Sequence, residues 1–445
     1  MENALPTAST ERMISRPVFA GIAALIFFMV GIILAYPSLS YYWFNDDLIM
    51  VRVHSNAEIA QSFTGDWESS GISTPGYRPL TLLFNHMTAL AFGESVELHR
   101  LFRIALFALH LTVLGLIGLE LRLSRLQVLL AGLIILCTKN TWWVLVWAAD
   151  GIHAFNVLLV GLAAYLLLRD LKHPSPLKWT AAYLLFAGAL LTREDVLTFV
   201  VIIPLIGLFQ SDAPRRRIIV QAIGLAIVAV GYWVLRGMFV PSASTSISIM
   251  GWVYSLAWIF LPRLAFLPLP VWIGVLVAFW AILFILLRTM HKDQRRLAWL
   301  WLVCTVIAAS TGLVITRANT LFPALSFFGL FLATILGDAL TRSRRLAVLG
   351  GIALVVFVVG SAAQHRIAQQ SLAPNSTEYL VETSRYFWGE WSPAYPYIPE
   401  VRREYLQEQL ASYGVNSMED YEARLPELLA AGTWFEPADD WLSGW

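Results

Sequence analysis

The chain has 445 residues, 58% of them hydrophobic and 14% charged, with a formal net charge of +1. Soluble domains carry about 25% charged residues, so this composition excludes an ordinary soluble enzyme and points to a polytopic membrane protein. The near-zero charge makes no case for nucleic acid. Cys137 and Cys304 both fall inside apolar runs, which suggests no disulfide framework.

A helix needs about 20 apolar residues to cross a bilayer. Eleven runs reach or approach that length: 17–36, 101–121, 126–140, 152–168, 178–192, 196–210, 218–236, 271–288, 297–315, 320–337 and 346–363. The first is too long for the apolar core of a cleaved signal and lacks a small-residue cleavage site, so it reads as a retained span. One set of connecting segments carries Arg12, Arg16, Arg122, Arg125, Arg169, Lys172, Lys178, Arg215 to Arg217, Arg288, Lys292, Arg295, Arg296, Arg342, Arg344 and Arg345. These are seventeen basic residues against seven acids. The positive-inside rule therefore places the N-terminus in the cytoplasm of a multi-pass cell-membrane protein and residues 37–100 outside. An odd number of spans puts the C-terminus outside as well.

Two apolar stretches do not read as spans. Residues 79–93 are too short and are expected to lie as a helix at the outer interface. Residues 251–270 are broken by Pro262, Arg263, Pro268 and Pro270, which predicts a re-entrant or surface hairpin with Trp252, Tyr254 and Trp258 at headgroup level. From about residue 364 the character changes: the tail holds five basic and thirteen acidic residues, with Trp388, Trp391, Tyr395, Tyr397, Trp434, Trp441 and Trp445. The expected organisation is an all-α transmembrane domain over 1–363, with 37–100 as its first outer loop, and a small helical extracytoplasmic region over 364–445.

Asp46 and Asp47 follow the first span with almost no spacer. An Asp at the centre of a membrane helix costs about 2.5–3.5 kcal/mol, and less near the interface. A hydrated turn would explain the pair blandly; the sharper reading is a catalytic carboxylate, or two carboxylates that hold a divalent metal such as Mg or Mn. Arg78 precedes Pro79, a pairing that favours an extended residue and then a helix start. Its guanidinium and the free amides of that helix would suit a phosphate, whereas an interfacial anchor needs no ligand.

His99, Arg103 and His110 fall at offsets of four and seven, on one helix face. Facing lipid they would be costly, so they should point into the protein, as a structural network or toward a ligand. Arg193, Glu194 and Asp195 separate two short apolar runs near the outer side, where an Arg–Glu pair shielding charge is the plain alternative. Arg317 ends a span just before Leu321-Phe322-Pro323; it either snorkels or joins Arg78 in holding an anionic leaving group. Asn375-Ser376-Thr377 matches a glycosylation acceptor pattern and is assigned no role. The sequence has no P-loop, Gly-rich dinucleotide fingerprint, metal-type Cys/His spacing or serine nucleophile elbow.

Taken as an ordered set, Asn45-Asp46-Asp47, Tyr77-Arg78-Pro79-Leu80, Asn85, His99-Arg100 and His110 resemble the first outer loop and second span of GT-C-fold glycosyltransferases. The likeness is nearest to the protein O-mannosyltransferases and the multispanning mannosyltransferases that carry tetratricopeptide repeats. Thr192-Arg193-Glu194-Asp195 falls where such proteins often have a Lys-Glu pair. Arg317 with Leu321-Phe322-Pro323 is similar to their late outer-loop Arg and Pro segment. The resemblance covers about residues 15–340; the tail shows no repeat array, so partner binding by repeats is not implied.

The resemblance implies a GT-C-like bundle of about eleven transmembrane helices. It implies an enzyme that moves a mannose-type or other hexose from a polyprenyl-phosphate donor to an acceptor hydroxyl on a protein, lipid or glycan. Asp46 or Asp47 would be the base, Arg78 and Arg317 the phosphate ligands, and His99, Arg103, His110, Arg193 and Glu194 their support. A transporter or flippase is the competing class, but it would want ionisable residues near the bilayer midplane and two related halves. Neither is legible here. A scaffold that presents the acidic tail is a third possibility.

Overall fold

The computed structural model describes residues 15–36, 38–44, 46–67, 76–149, 151–210, 213–240, 247–260, 268–313, 321–371, 373, 377–388 and 396–430. Among these residues the fold is all-helical. The first segments are α1 (Arg16–Ala35), α2 (Asp47–Met50), α3 (Asn56–Thr64), α4 (Pro79–Phe92) and α5 (Val96–Glu120). The bundle continues through α6 (Arg125–Cys137), α7 (Lys139–Val146), α8 (Ile152–Lys172), α9 (Pro176–Thr192), α10 (Phe199–Leu208) and α11 (Arg215–Phe239). It is completed by α12 (Ile249–Phe260), α13 (Leu269–Thr289), α14 (Lys292–Ala308), α15 (Phe322–Arg342) and α16 (Arg344–Ser371). The tail forms α17 (Thr377–Phe387), α18 (Glu400–Ser412) and α19 (Met418–Ala430).

Local chemistry explains the helix starts. Pro17 and Pro79 occupy the first turns of α1 and α4, where a missing N–H is harmless. Ser55 with Glu58, and Ser124 with Gln127, close capping boxes on α3 and α6. Eight helices are long and apolar enough to cross a membrane: α1, α5, α8, α11, α13, α14 with the 3-10 turn after it, α15 and α16. This makes the chain a multi-pass membrane protein. The other three expected spans are helical but shorter: α6 has 13 residues, α9 has 17, and α10 has 10 with Pro204 inside it.

α15 is the axis of the bundle, with 83% of its apolar window buried, whereas α13 and α16 turn most of their surface outward at 17% and 22%. Glycines let the central helices close up. A Cβ on Gly132 of α6 would lie 2.2 Å from the ring of Phe27 in α1, and one on Gly329 of α15 would lie 2.3 Å from Ile135. Glu120, at the end of α5, pairs with Arg16 at 2.8 Å, Arg169 at 3.1 Å and Lys172, which brings the start of α1 and the ends of α5 and α8 to one end of the bundle. The opposite end therefore gathers the segment after α1, the start of α5 and the start of α8.

The apolar run 79–93 is the separate helix α4, as expected. Residues 251–270 divide into α12 and the start of α13, with 261–267, including Pro262 and Arg263, outside the described residues, as is the side chain of Trp258. α16 continues without a break to Ser371, past the residue where the charge pattern changes. The tail is not a separate globule. Leu380, Phe387, Ile398, Leu406, Leu410, Val415 and Tyr421 share one buried cluster with Trp43, Leu48, Ile49, Met50, Val51 and Trp67 of the segment between α1 and α4. Asn375, Ser376, Trp391, Tyr395, Trp434, Trp441 and Trp445 lie outside the described residues.

Replacing Gly132 with leucine should drive a branched side chain into Phe27, which is wholly buried. Overpacking of this kind costs about 1–3 kcal/mol. The expected result is a lower thermal unfolding midpoint in detergent for Gly132→Leu, while leucine at Gly21, where nothing lies within 4 Å, leaves the midpoint unchanged.

Candidate active site

Asp46 and Asp47 part company in the fold. Asp46 is the residue before α2 and is partly exposed, while the Asp47 side chain has no exposed surface. A buried carboxylate must find donors inside the protein. Asp47 accepts from the backbone amides of Ala149 at 2.5 Å and Ala148 at 3.3 Å, in the turn before α8. Burial raises its pKa to about 6. Arg100, the Ala149 amide, Arg103 and the Ala148 amide pull the other way and only partly offset burial.

The two arginines come from the inward face of α5. Arg100 donates to the carbonyls of Val146, Ser38 and Leu39 at 2.8–2.9 Å, to Tyr42 at 3.2 Å and to Tyr41. It is a clamp that ties the chain after α1 to the chain before α8. Arg103 is equally buried. Its Nε donates to the Ala148 carbonyl, and its carbon lies 5.4 Å from the centre of the Phe84 ring, but among the described residues both terminal amino nitrogens lack a hydrogen-bond partner. A Cβ at Gly151 would come within 2.0 Å of the Arg103 side chain, so only glycine fits there.

A second polar cluster sits beside the first. Arg78 and Glu194 make a two-pronged pair, Nε to Oε2 at 2.8 Å and the terminal nitrogen to Oε1 at 2.6 Å. Burial alone would raise the Glu194 pKa, but Arg78 outweighs it and brings the value down to about 2. Asp195 accepts from Asn156 at 2.8 Å and lies 3.3 Å from His153 Nδ1 and 3.5 Å from Arg193 Nε. The stretch 148–156 thus serves both clusters, with Ala148 and Ala149 on Asp47, and His153 and Asn156 on Asp195. Phe84 adds a link from α4, stacking on Phe155 at 4.9 Å.

His99 and His110 are inward, as their spacing predicts. His99 faces the Gly93 carbonyl at 3.1 Å and meets the edges of Trp43 and Phe92. His110 is held at both nitrogens, by the Val157 carbonyl at 3.2 Å and Ser326 Oγ at 3.0 Å, and ties α5 to α8 and α15. Arg317 and Asn45 lie outside the described residues. Among the described residues no three His, Cys, Asp or Glu side chains gather in a metal-binding group, and both Asp47 oxygens already face amides. Among the described residues a divalent ion would rest on Asp46 and Asp47 alone, a poor fit for a protein-built cage.

Sequence reasoning missed the amides of Ala148 and Ala149, the Arg100 clamp, and two further residues, Glu94 and Arg402. Arg402 of α18 is buried and reaches the carbonyls of Asp47, Leu48 and Val51. The only signal for it was a basic pair, Arg402-Arg403, in an otherwise acidic tail.

No protein-family model matches the chain, and no curated protein sequence does either. Among solved structures, the crystal structure of the Archaeoglobus fulgidus oligosaccharyltransferase, tethered by a disulfide to an acceptor peptide with an NVT sequon, is similar at 14% identity and a TM-score of 0.46. The match covers 86% of this chain and 59% of that one, so the chain spans less than two-thirds of that structure. At this distance the chemistry has to be argued from the chain's own residues.

Breaking the Arg78–Glu194 pair leaves a charge with only 5% of its surface exposed and no partner, at a cost of about 3–5 kcal/mol. Glu194→Gln should lower the unfolding midpoint accordingly. The folded pKa of Glu194 is depressed, so the pair contributes stability that is complete above the ordinary value of 4.5 and is lost as pH falls toward 2. Below about pH 4.5 the wild-type midpoint should therefore fall faster than that of Glu194→Gln. Parallel slopes in a pH series of thermal melts would show that the pair carries no such linkage.

Proposed function

We propose that the chain is a membrane glycosyltransferase that moves a sugar from a polyprenyl-phosphate donor to an acceptor hydroxyl at the outer membrane face, with inversion at the anomeric carbon. The observation that carries this reading is the buried Asp47–Arg100–Arg103 group behind the partly exposed Asp46. Arg100 and Arg103 both act electrostatically on the Asp47 carboxylate, and among the described residues the terminal nitrogens of Arg103 have no hydrogen-bond partner. Buried donors in native proteins are nearly always satisfied, so two guanidinium amino groups with no partner among the described residues hold positive charge in reserve at this turn, acting by field rather than by contact since Arg103 has no exposed surface.

Asp46 is the better-placed base, because it alone of the pair has exposed surface from which to meet an acceptor. It takes the proton of the acceptor hydroxyl as that oxygen attacks the anomeric carbon. The bond from that carbon to the phosphate oxygen breaks, and the phosphate leaves with the electron pair. Fixed positive charge stabilises it as negative charge grows. Arg103 supplies part of that charge in this reading. Arg78 and Arg317 are the phosphate ligands, with Arg78 held in place by Glu194. Asp47 orients the loop and tempers the charge of the two α5 arginines. A mannose-type or other hexose and a protein, lipid or glycan hydroxyl are the substrates, and the lipid tail lies against the outward apolar faces of the bundle. The N-terminus is cytoplasmic and the tail extracytoplasmic in this arrangement.

Transfer from a radiolabelled polyprenyl-phosphate mannose, measured in membranes, tests the assignment. Asp46→Asn should lose about 10²–10⁴-fold in turnover, the usual contribution of a general base. Asp47→Asn should also fall, and its residual activity should lose the acid limb expected near pH 6 in the wild type. Full activity in both variants would remove the carboxylates from the chemistry.

A further inference from the structure

α2 is a single turn of four residues, too short to persist by its own hydrogen bonds. A helix end leaves carbonyls without intrahelical partners; here a side chain more than three hundred residues away supplies them for Leu48 and Val51 and adds to the 3.3 Å bond that the Asp47 carbonyl accepts from the Val51 amide. Arg402, with no exposed surface, donates from one terminal nitrogen to the carbonyls of Asp47 at 2.9 Å and Leu48 at 3.2 Å. The other terminal nitrogen donates to the Val51 carbonyl at 2.6 Å. Its remaining capacity goes to Glu94, Nε to Oε2 at 2.7 Å and the second nitrogen to Oε1 at 3.1 Å. The flat face of the guanidinium lies 4.3 Å from the centre of the Trp43 ring, whose indole N–H donates to the same Glu94 carboxylate at 3.1 Å.

From these contacts we infer that Arg402 is a positioning residue for the Asp46–Asp47 pair, through which the C-terminal helices hold α2 in its working place. The inference rests on the glycosyltransferase reading only for its catalytic consequence. Its structural content is independent. Asp47 is gripped at both ends, its carboxylate by Ala148 and Ala149 and its carbonyl by Arg402. Asp46, one residue earlier, inherits its direction from that grip, since its own carbonyl accepts from Ile49 at 3.2 Å and Met50 at 2.8 Å within the same turn. Around the guanidinium, Trp43, Leu48 and Val51 pack with Leu406 and Leu410 of α18, so the tail supplies both the apolar cover and the polar latch. Lysine cannot replace it, because one ammonium cannot span a carboxylate and three carbonyls in a plane.

The test uses the full-length protein in detergent and compares wild type with Arg402→Met, Arg402→Lys and Glu94→Gln. Hydrogen exchange over peptides covering 43–51 should quicken by about tenfold to a hundredfold in both Arg402 variants, the range for losing hydrogen bonds to a charged group, with exchange in α15 unchanged. Glu94→Gln keeps the carbonyl contacts and should give a smaller increase, which preserves the test should the Arg402 variants not fold. In the mannosyl-transfer assay the Arg402 variants should lose turnover by about tenfold or more at an unchanged KM for the lipid donor. Wild-type exchange rates at 43–51 in folded Arg402→Met, or no quickening in Glu94→Gln, overturn the latch. Wild-type turnover with quickened exchange overturns its catalytic consequence. Absence of transfer by the wild type itself sinks the function and leaves the exchange result to decide the latch.

Discussion

A carboxylate with no exposed surface has to draw its hydrogen bonds from the protein, and Asp47 draws them from two consecutive amides in the turn that opens α8. That demand organises this end of the bundle. To hold those amides still, the chain before them is clamped by Arg100 at Val146, and Arg103 bonds the Ala148 carbonyl from the other side. Arg100 also gathers the carbonyls of Ser38, Leu39, Tyr41 and Tyr42, so the exit from α1 and the entry to α8 are fixed by the same guanidinium. In a low-dielectric setting such a network is stable only when its members are satisfied together. Among the described residues the Arg103 terminal nitrogens depart from that rule.

The same logic distributes charge along the molecule. At one end Glu120 meets three cations and draws α1, α5 and α8 together. At the other, Arg78–Glu194 and Asp195 with His153 and Asn156 bind the turn after α9 to the start of α8. Between the two ends the contacts are mostly apolar, with His110 a polar tie among α5, α8 and α15, and glycines set how closely α1, α6 and α15 approach. Polar pairing at the ends with tight packing in the middle gives a rigid frame. On such a frame a short element such as α2 can be aimed by contacts from distant parts of the chain.

The frame was legible because hydrocarbon imposes a length on apolar runs. Each expected span holds a helix, eight of them long enough to cross a bilayer, and Pro79 at the head of α4 marks its start. The inward set His99, Arg103 and His110 was legible from spacing alone, since a helix face is a local property. What the sequence hid is pairing across distance. Glu194 and Arg78 are both conspicuous charges, yet nothing local says that they bind one another rather than a ligand. Arg402 was hidden more deeply. A tail rich in acids and aromatics reads as a separate region, whereas its apolar side chains complete the core over the segment between α1 and α4. Backbone donors such as Ala148 and Ala149 leave no trace in residue identity at all.

Burial also separates two aspartates that composition treats as equals. A base that serves an incoming hydroxyl must be reachable, and a residue wholly enclosed by α2, the turn before α8 and two arginines is not. Asp47, with its pKa raised to about 6, would in addition hold its proton through much of the mildly acidic range. Asp46, at the rim, keeps access. The inner carboxylate is better understood as the group that fixes the outer one. It ties α2 to the same turn that Arg103 touches, so that an acidic side chain facing solvent and a cationic one short of partners are set by one piece of backbone. A shift of that turn would move both together, which is what the proposed displacement needs to keep its proton acceptor and the charge that steadies its leaving group in register.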